Sequence, residues 1–277
     1  METAYWLAIG VVASAVGMHH LGAAANSRVI FYKPRSRAAI VSLVSLVSLV
    51  VVGFLVPARP VEAEPLPDRM TAIGDSITQA TDVCCWYGDH PGSSWSAGGR
   101  SWDGVRSHYE RIRAVNPGIK GNNHNVARAG ARMAQAASQA AGAVEHQADY
   151  VTILMGANDA CTSSTETMTP VEDFRAQFAA AIEILRSELP EARVFVGSIP
   201  NIYRLWQIYK DSSVARFVWR TARICQSTLA SSNTEVDRQA VLARVRHFND
   251  ALARSVGCIR AAASTTTRSS TIRSSGM

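Results

Sequence analysis

The sequence predicts an α/β fold built on a parallel sheet, and three observations predict it. Short apolar runs alternate with helical stretches between residues 70 and 256. Two of those runs end directly in glycine-bearing polar loops, Gly74-Asp75-Ser76-Ile77 and Gly156-Ala157-Asn158-Asp159. The connections between runs are long enough for crossover helices, which implies parallel strands joined by right-handed crossovers. On such sheets, ligands bind beyond the carboxyl ends of the strands.

Each element follows in order. After the Pro-rich linker Pro57–Pro67, Met70–Ile73 is a short strand leading into Gly-Asp-Ser. Residues 82–101, rich in Cys, Gly, Pro, Ser and Trp, predict a long surface loop. Trp102–Val115 has helical periodicity and stops at Asn116-Pro117-Gly118. Asn123–Ala127 is a second strand, followed by an Ala/Gln-rich helix from Ala131 to about Glu145, and Tyr150–Met155 is a third. Pro170 suits a first helical turn, so Val171–Leu189 is a helix closed by Pro190. Arg193–Ser198 is the fourth strand, and two helical stretches complete the series, Tyr203–Cys225 and Asn233–Val256.

The 277 residues are 47% hydrophobic, enough to bury one catalytic-size core, assigned to 64–256. The net charge of +6 lies at the ends. Residues 1–63 hold five basic and two acidic groups, and 259–277 hold three basic and none acidic. Removing those eight and two from the chain's 28 and 22 leaves 20 of each in 64–258. A nucleic-acid binder needs basic charge clustered on its folded domain, so that class is excluded.

Residues 1–63 predict a targeting or anchoring region. Lys33, Arg35 and Arg37 precede the apolar run Ala38–Val56, and Val61-Glu62-Ala63 offers small residues for signal-peptidase cleavage. The run is long for a cleaved signal and just long enough to span a bilayer, so a secreted protein and a membrane-anchored one both fit. Tyr5–Ala25, interrupted by His19 and His20, is either a second apolar helix or sequence upstream of the true start, which is the favoured reading.

Export suits the five cysteines, all beyond the proposed cleavage point: Cys84, Cys85, Cys161, Cys225 and Cys258. None has zinc-site spacing, and no metal or organic cofactor is implied. Cys161 and Cys225 are the first candidate disulfide pair.

The chemistry gathers at the two Gly-bearing loops. Ser76 sits on a strand-to-loop turn, and Asn158 brings a side-chain amide to the end of another strand. Alone, Ser76 would read as a helix N-cap, and Asp159 as a brace for its own loop. Gly130 could serve only a turn. Tyr203, Trp206, Tyr209, Phe217 and Trp219 could line an acyl pocket, although large apolar side chains in helices are more often core.

Residues 70–258 resemble the SGNH, or GDSL-type, ester hydrolases, especially the secreted actinobacterial branch. The resemblance is carried by Gly74-Asp75-Ser76-Ile77-Thr78, Asn125-Val126-Ala127-Arg128-Ala129-Gly130 and Gly156-Ala157-Asn158-Asp159, three blocks in order, each after a strand. It implies a flavodoxin-like three-layer sandwich with a central parallel sheet. It also implies that Ser76 is the nucleophile and that the N–H groups of Ser76 and Gly130, with the Asn158 amide, form the oxyanion hole. Donors set in place stabilise a tetrahedral oxyanion without reorganising, and losing one typically costs about 2.7–4 kcal/mol.

The family's general base lies in an Asp-x-x-His block after a fifth strand. None of the seven histidines here has Asp three residues earlier. His247 falls mid-helix in Val245–Asn249, and His108 and His124 are weaker candidates. Beyond about Ser255 the chain is dominated by Ser, Thr and Arg and shows neither strand nor helix periodicity, so 257–277 reads as an aberrant or disordered tail. Arginine far outnumbers lysine, as in a G/C-rich genome. A two-base shift near Val256 can restore a globular string, so a frameshift is expected to have replaced the fifth strand and the base.

The resulting expectation is a serine esterase or lipase acting on a small-molecule, lipid or carbohydrate ester, impaired by loss of its base. A related acyltransferase or carbohydrate deacetylase is the first alternative. A non-catalytic, membrane-anchored binding protein is the second.

Overall fold

Four strands, β1 (Met70–Gly74), β2 (Asn123–Asn125), β3 (Tyr150–Leu154) and β4 (Arg193–Val196), pair in parallel in the order β2-β1-β3-β4. This computed structural model describes residues 65–83 and 87–272, with side chains to residue 255. The proposed targeting region 1–63, Cys84, Cys85 and the Cys258 side chain lie outside the described residues. Among those described, no helix is long and apolar enough to cross a membrane.

All five residues of β1 are buried, because the strand has a neighbour on each side and a layer on each face. Gly74 aligns with Leu154 on β3, and Ala72 with Asn125 on β2, so the loops after all three strands leave at the same rim.

One face of the sheet presents Ile73, Val151 and Ile153 to the main core. Helices α3 (Ala136–Glu145), α5 (Val171–Glu188) and α9 (Glu235–Ile272) cover it. Phe174, Phe178, Ala181, Ile182 and Leu185 recur at helical spacing, giving α5 one apolar stripe. Phe174 stacks on Phe248 of α9 with ring centroids 4.0 Å apart. Ala136, Ala140 and Ala143 line the inner side of α3, where small side chains let the helix approach the sheet.

The opposite face carries a smaller cluster, Met70, Ala72, Ala97, Tyr109 and Ile119. Helix α2 (His108–Val115) covers part of it but begins six residues after the Trp102 start that periodicity predicts. Ser107 decides this. Its hydroxyl accepts from Glu110 N–H while Glu110 reaches back to Ser107 N–H, a capping box that makes 107 the entry point.

The loop 82–101 is not simply a surface loop. Ser93, Ser94, Ser96 and Ala97 are buried, and Ser96 Oγ meets Thr152 Oγ1 of β3 at 2.5 Å. Its polar composition conceals a segment folded onto the sheet through that hydroxyl pair and through Asn123 Nδ2, which donates to Ala97 C=O at 2.6 Å.

The stretch read as one helix over 203–225 divides into α6 (Ile202–Tyr209) and α7 (Ser213–Thr221). Ser212 accepts from Ala215 N–H and starts α7 afresh. The remaining short helices are α1 (Ser76–Gln79), α4 (Ala157–Ala160) and α8 (Gln226–Leu229).

Cys161 and Cys225 form a disulfide, the pair singled out from the sequence. No fifth strand occurs among the described residues, and β2 and β4 are the two edges of the sheet they form. The α9 backbone continues helically to Ile272, through the Ser/Thr/Arg-rich stretch for which no periodicity predicts a helix. Propagating an established helix needs only one ordered residue per hydrogen bond, and the alanines at 261–263 favour it.

Candidate active site

Ser76 opens α1 immediately beyond the carboxyl end of β1. Asp75 caps that turn: its Oδ1 accepts from Ile77 N–H at 2.9 Å. Gly74 can only be glycine, since a Cβ there would lie 2.2 Å from Thr78 Oγ1 and 2.7 Å from the Leu154 carbonyl. The chain therefore passes between its own turn and β3 with no room for a side chain.

Gln139, buried on α3, grips the same residue from below. Its Oε1 accepts from Gly74 N–H at 2.8 Å and its Nε2 donates to Gly74 C=O at 3.0 Å. Sequence reasoning missed this residue because, in an Ala/Gln-rich helix, a lone glutamine reads as part of the wet face.

The second block is laced to the first. Asn125 Nδ2 donates to Thr78 C=O at 3.0 Å, Arg128 N–H donates to Gly74 C=O at 3.2 Å, and the Gln79 amide donates to Ala127 C=O. Gly130 has φ +76°, the left-handed region that glycine adopts without strain, and a Cβ on it would face open space. The third block closes the set: Asn158 Nδ2 donates to the carbonyl of Ala131, next to Gly130, at 3.0 Å. That leaves the second amide hydrogen of Asn158 for another acceptor. Ser76, Gly130 and Asn158 thus occupy three neighbouring loops on one rim, with Ser76 and Asn158 half-buried and Gly130 exposed.

Asp159 braces neighbouring loops as well as its own. Its carboxylate accepts from Met133 N–H at 2.9 Å and from Thr169 Oγ1 at 2.8 Å. Burial pushes its pKa up, against those hydrogen bonds and Arg132. Asp75 is also raised, to about 6, chiefly by burial, with the Ile77 hydrogen bond opposing and the Asp159 charge adding. Asp75 Oδ2 is buried and has no partner among the described residues.

The histidines do not complete the site. His247 turns to solvent on α9 while Val245 and Phe248 face the core. His108 Nδ1 pairs with Tyr150 Oη at 2.8 Å, at the amino end of β3, and burial followed by Arg111 lowers its pKa. His124 on β2 stacks against His146, centroids 3.7 Å apart, and burial and then His146 lower its pKa. His90, passed over in the sequence, is tied to the Ser76 turn: its N–H donates to Gln79 C=O at 3.0 Å. Among the described residues, no histidine hydrogen-bonds the Ser76 hydroxyl.

The aromatic series is mostly core. Trp206, Tyr209 and Trp219 pack around the disulfide, Tyr203 donates to Glu235, and Phe217 is exposed. Among the described residues, no group of three or more His, Cys, Asp or Glu could hold a metal ion.

Residues 72–257 match the GDSL-like Lipase/Acylhydrolase family. The chain belongs to that family. Membership places this GDSL-like protein in a class of lipase- and esterase-type hydrolases. It is 25% identical over 209 residues to "Phospholipase B1, membrane-associated" of Mus musculus, covering 64% of this chain. The protein of the same name in Rattus norvegicus is also 25% identical, over 200 residues and 60% of this chain. The chain spans 14% of the length of each of these relatives. Among solved structures, it resembles a protein assigned as a GDSL-like lipase from Parabacteroides merdae. The identity is 15% and the TM-score 0.33, covering 66% of this chain and 96% of that one.

Proposed function

We propose that this GDSL-like domain is a serine ester hydrolase with Ser76 as nucleophile. The observation that carries the reading is the Gly74-Asp75-Ser76 turn at the end of the inner strand β1, whose Gly74 carbonyl accepts from Arg128 N–H in the loop that holds Gly130, the loop to which Asn158 is in turn hydrogen-bonded. Ser76 Oγ attacks an ester carbonyl, and the carbonyl oxygen takes on negative charge. The N–H groups of Ser76 and Gly130, with the Asn158 amide, receive that charge. The alcohol leaves with a proton, and water then releases the acid from the acyl-enzyme.

A serine hydroxyl needs a base to take its proton. With no histidine bonded to Ser76 among the described residues, turnover is expected to be weak, although an oxyanion hole and binding alone retain about 10³–10⁴ over water. The relatives' name and the family description favour a lipid ester as substrate, and acetylated carbohydrates are the alternative. The Cys161–Cys225 bond favours an exported protein.

A fluorophosphonate probe tests the reading. Slow labelling of the intact chain, as a serine without a histidine partner gives, that disappears in Ser76→Ala is the expected result. A folded chain that takes no label supports the second reading, a non-catalytic binding protein, which the missing histidine partner favours.

A further inference from the structure

The helical hairpin α6–α7 carries a charge and an apolar surface that the core does not use. Residues 202–224 hold five basic side chains, Arg204, Lys210, Arg216, Arg220 and Arg223, and one acid, Asp211. The 64–258 segment has 20 of each sign, so outside the hairpin it has 15 basic and 19 acidic groups, a net of −4. The hairpin is one of two positive stretches in that segment, the other being residues 100–132 with seven basic and two acidic groups. All five basic residues are exposed, and none forms an ion pair with a carboxylate among the described residues.

Among them stand three large apolar side chains: Ile208 is 47% exposed, Val214 45% and Phe217 56%. Val214 and Phe217 lie three apart on α7, stacked on one side of the helix. The Arg220 guanidinium lies 5.9 Å from the centre of the Phe217 ring. The hairpin's other side is well anchored. Ala215 and Trp219 are buried with Leu229 and the disulfide, and Arg238 covers the Trp206 ring at 3.7 Å. The exposed apolar groups are therefore surplus to that core.

The hairpin is also fastened to the site. The Cys161–Cys225 bond joins its base to the segment three residues past Asn158. Ser227 repeats the link, with Oγ donating to Ala160 C=O at 2.8 Å and N–H to Thr162 C=O at 2.9 Å.

We propose that this hairpin docks on an anionic lipid surface, with Ile208, Val214 and Phe217 entering the headgroup region and the five basic side chains meeting lipid phosphates. Basic residues around aromatic and aliphatic ones on a helix make up an interfacial surface. A second copy of the same surface would set like charge against like charge in a two-fold contact. Docking brings the carboxyl rim to the lipid, which makes lipids at an interface the substrate class. That consequence rests on the ester-hydrolase reading, whereas docking itself does not.

The test uses the full chain carrying Ser76→Ala, so that its outcome is independent of the nucleophile. Phe217→Trp adds a fluorophore to the chain's own six tryptophans, so its signal is taken as the difference from the chain without it, and vesicles are made of brominated phosphatidylcholine, alone or mixed with brominated phosphatidylglycerol. The expected result is quenching of the added fluorescence on the anionic vesicles. Arg216→Glu with Arg220→Glu should weaken that signal's partitioning at least about tenfold, at several-fold per basic residue, with an unchanged thermal midpoint. No quenching at position 217 overturns the proposal, even if the chain binds vesicles through another segment. Quenching that ignores both lipid charge and the double substitution also overturns it. So does concentration-dependent self-association without lipid that Phe217→Asp abolishes, if it occurs without quenching on vesicles.

Discussion

Gln139 and Asp75 are the side chains that set the backbone of the Ser76 turn. Gln139 satisfies both polar groups of Gly74 inside the protein. Gln139→Leu removes the acceptor of the Gly74 N–H and one of two donors to its carbonyl, which keeps Arg128 N–H, and leaving a buried polar group unsatisfied costs about 1–3 kcal/mol. We expect lower denaturant stability of that order and slower probe labelling of Ser76. Gln139→Glu should recover in acid, where a protonated carboxyl can again donate to Gly74 C=O. Labelling that is equally fast in all three proteins would remove Gln139 from the positioning role.

Asp75 makes the opposite contribution at neutral pH. Its folded pKa of about 6 lies above the ordinary value of 3.8, so between those values the folded chain holds a proton that the unfolded chain has lost. The stability tied to that proton is complete below about pH 4 and is lost as the pH rises through 6. Acidifying from pH 7 to 5 should therefore stabilise the fold by on the order of 1 kcal/mol, the rest of the shift being gained only on going down to about pH 4. Asp75→Asn keeps an oxygen for Ile77 N–H and should flatten this segment of the profile. Denaturation midpoints taken across the range check both.

Among the elements, β4 and the α6–α7 hairpin carry distinct consequences. Arg193 N–H donates to the Asp149 carbonyl just before β3 at 3.0 Å and Gly197 N–H to that of Ile153 in β3 at 2.8 Å, so by strand alternation Val194 and Val196 turn their backbone groups outward. Phe195 is 42% exposed beside them. A bare apolar edge invites strand addition, so the chain should express poorly and associate through β4. Phe195→Lys should raise the soluble yield. A monomer with a sharp thermal transition in the unmodified chain would contradict this.

The disulfide spans 64 residues. Closing a loop of that length in the unfolded chain is worth about 4 kcal/mol in the chain-entropy account. Cys161→Ser should cost up to that amount, and protease should then cut first within 202–224. Uniform resistance to cleavage would mean the hairpin holds without its bond.

At the scale of the whole molecule, the four strands and their parallel pairing are legible because strand pattern and the helices between strands are local features, whereas the order β2-β1-β3-β4 came only from the structure. Met70–Ile73 and Tyr150–Leu154 are apolar runs bounded by glycine, and buried parallel strands have that composition. The three site blocks are legible for a related reason: Gly74 answers to a steric demand and Gly130 to a backbone one, which admit few other residues. Gln139 is illegible because its partner lies 65 positions away. The break at Lys210–Ser212 was missed because the apolar periodicity runs on either side of it, while Ser212 alone starts the second helix.

By itself the sequence determined the three glycine-bearing blocks that come to one rim, where the strands lie and that the net charge gathers at the chain's ends, since composition and short-range spacing encode these. Only the tertiary structure decided which polar groups are buried, as with Asp75 and Gln139, and that Cys161 reaches Cys225. It alone showed a basic, apolar hairpin fastened beside the rim. The reason is physical: burial, charge proximity and pairing depend on distances between residues far apart in the chain, and those distances exist only once the sheet and its covering helices have closed.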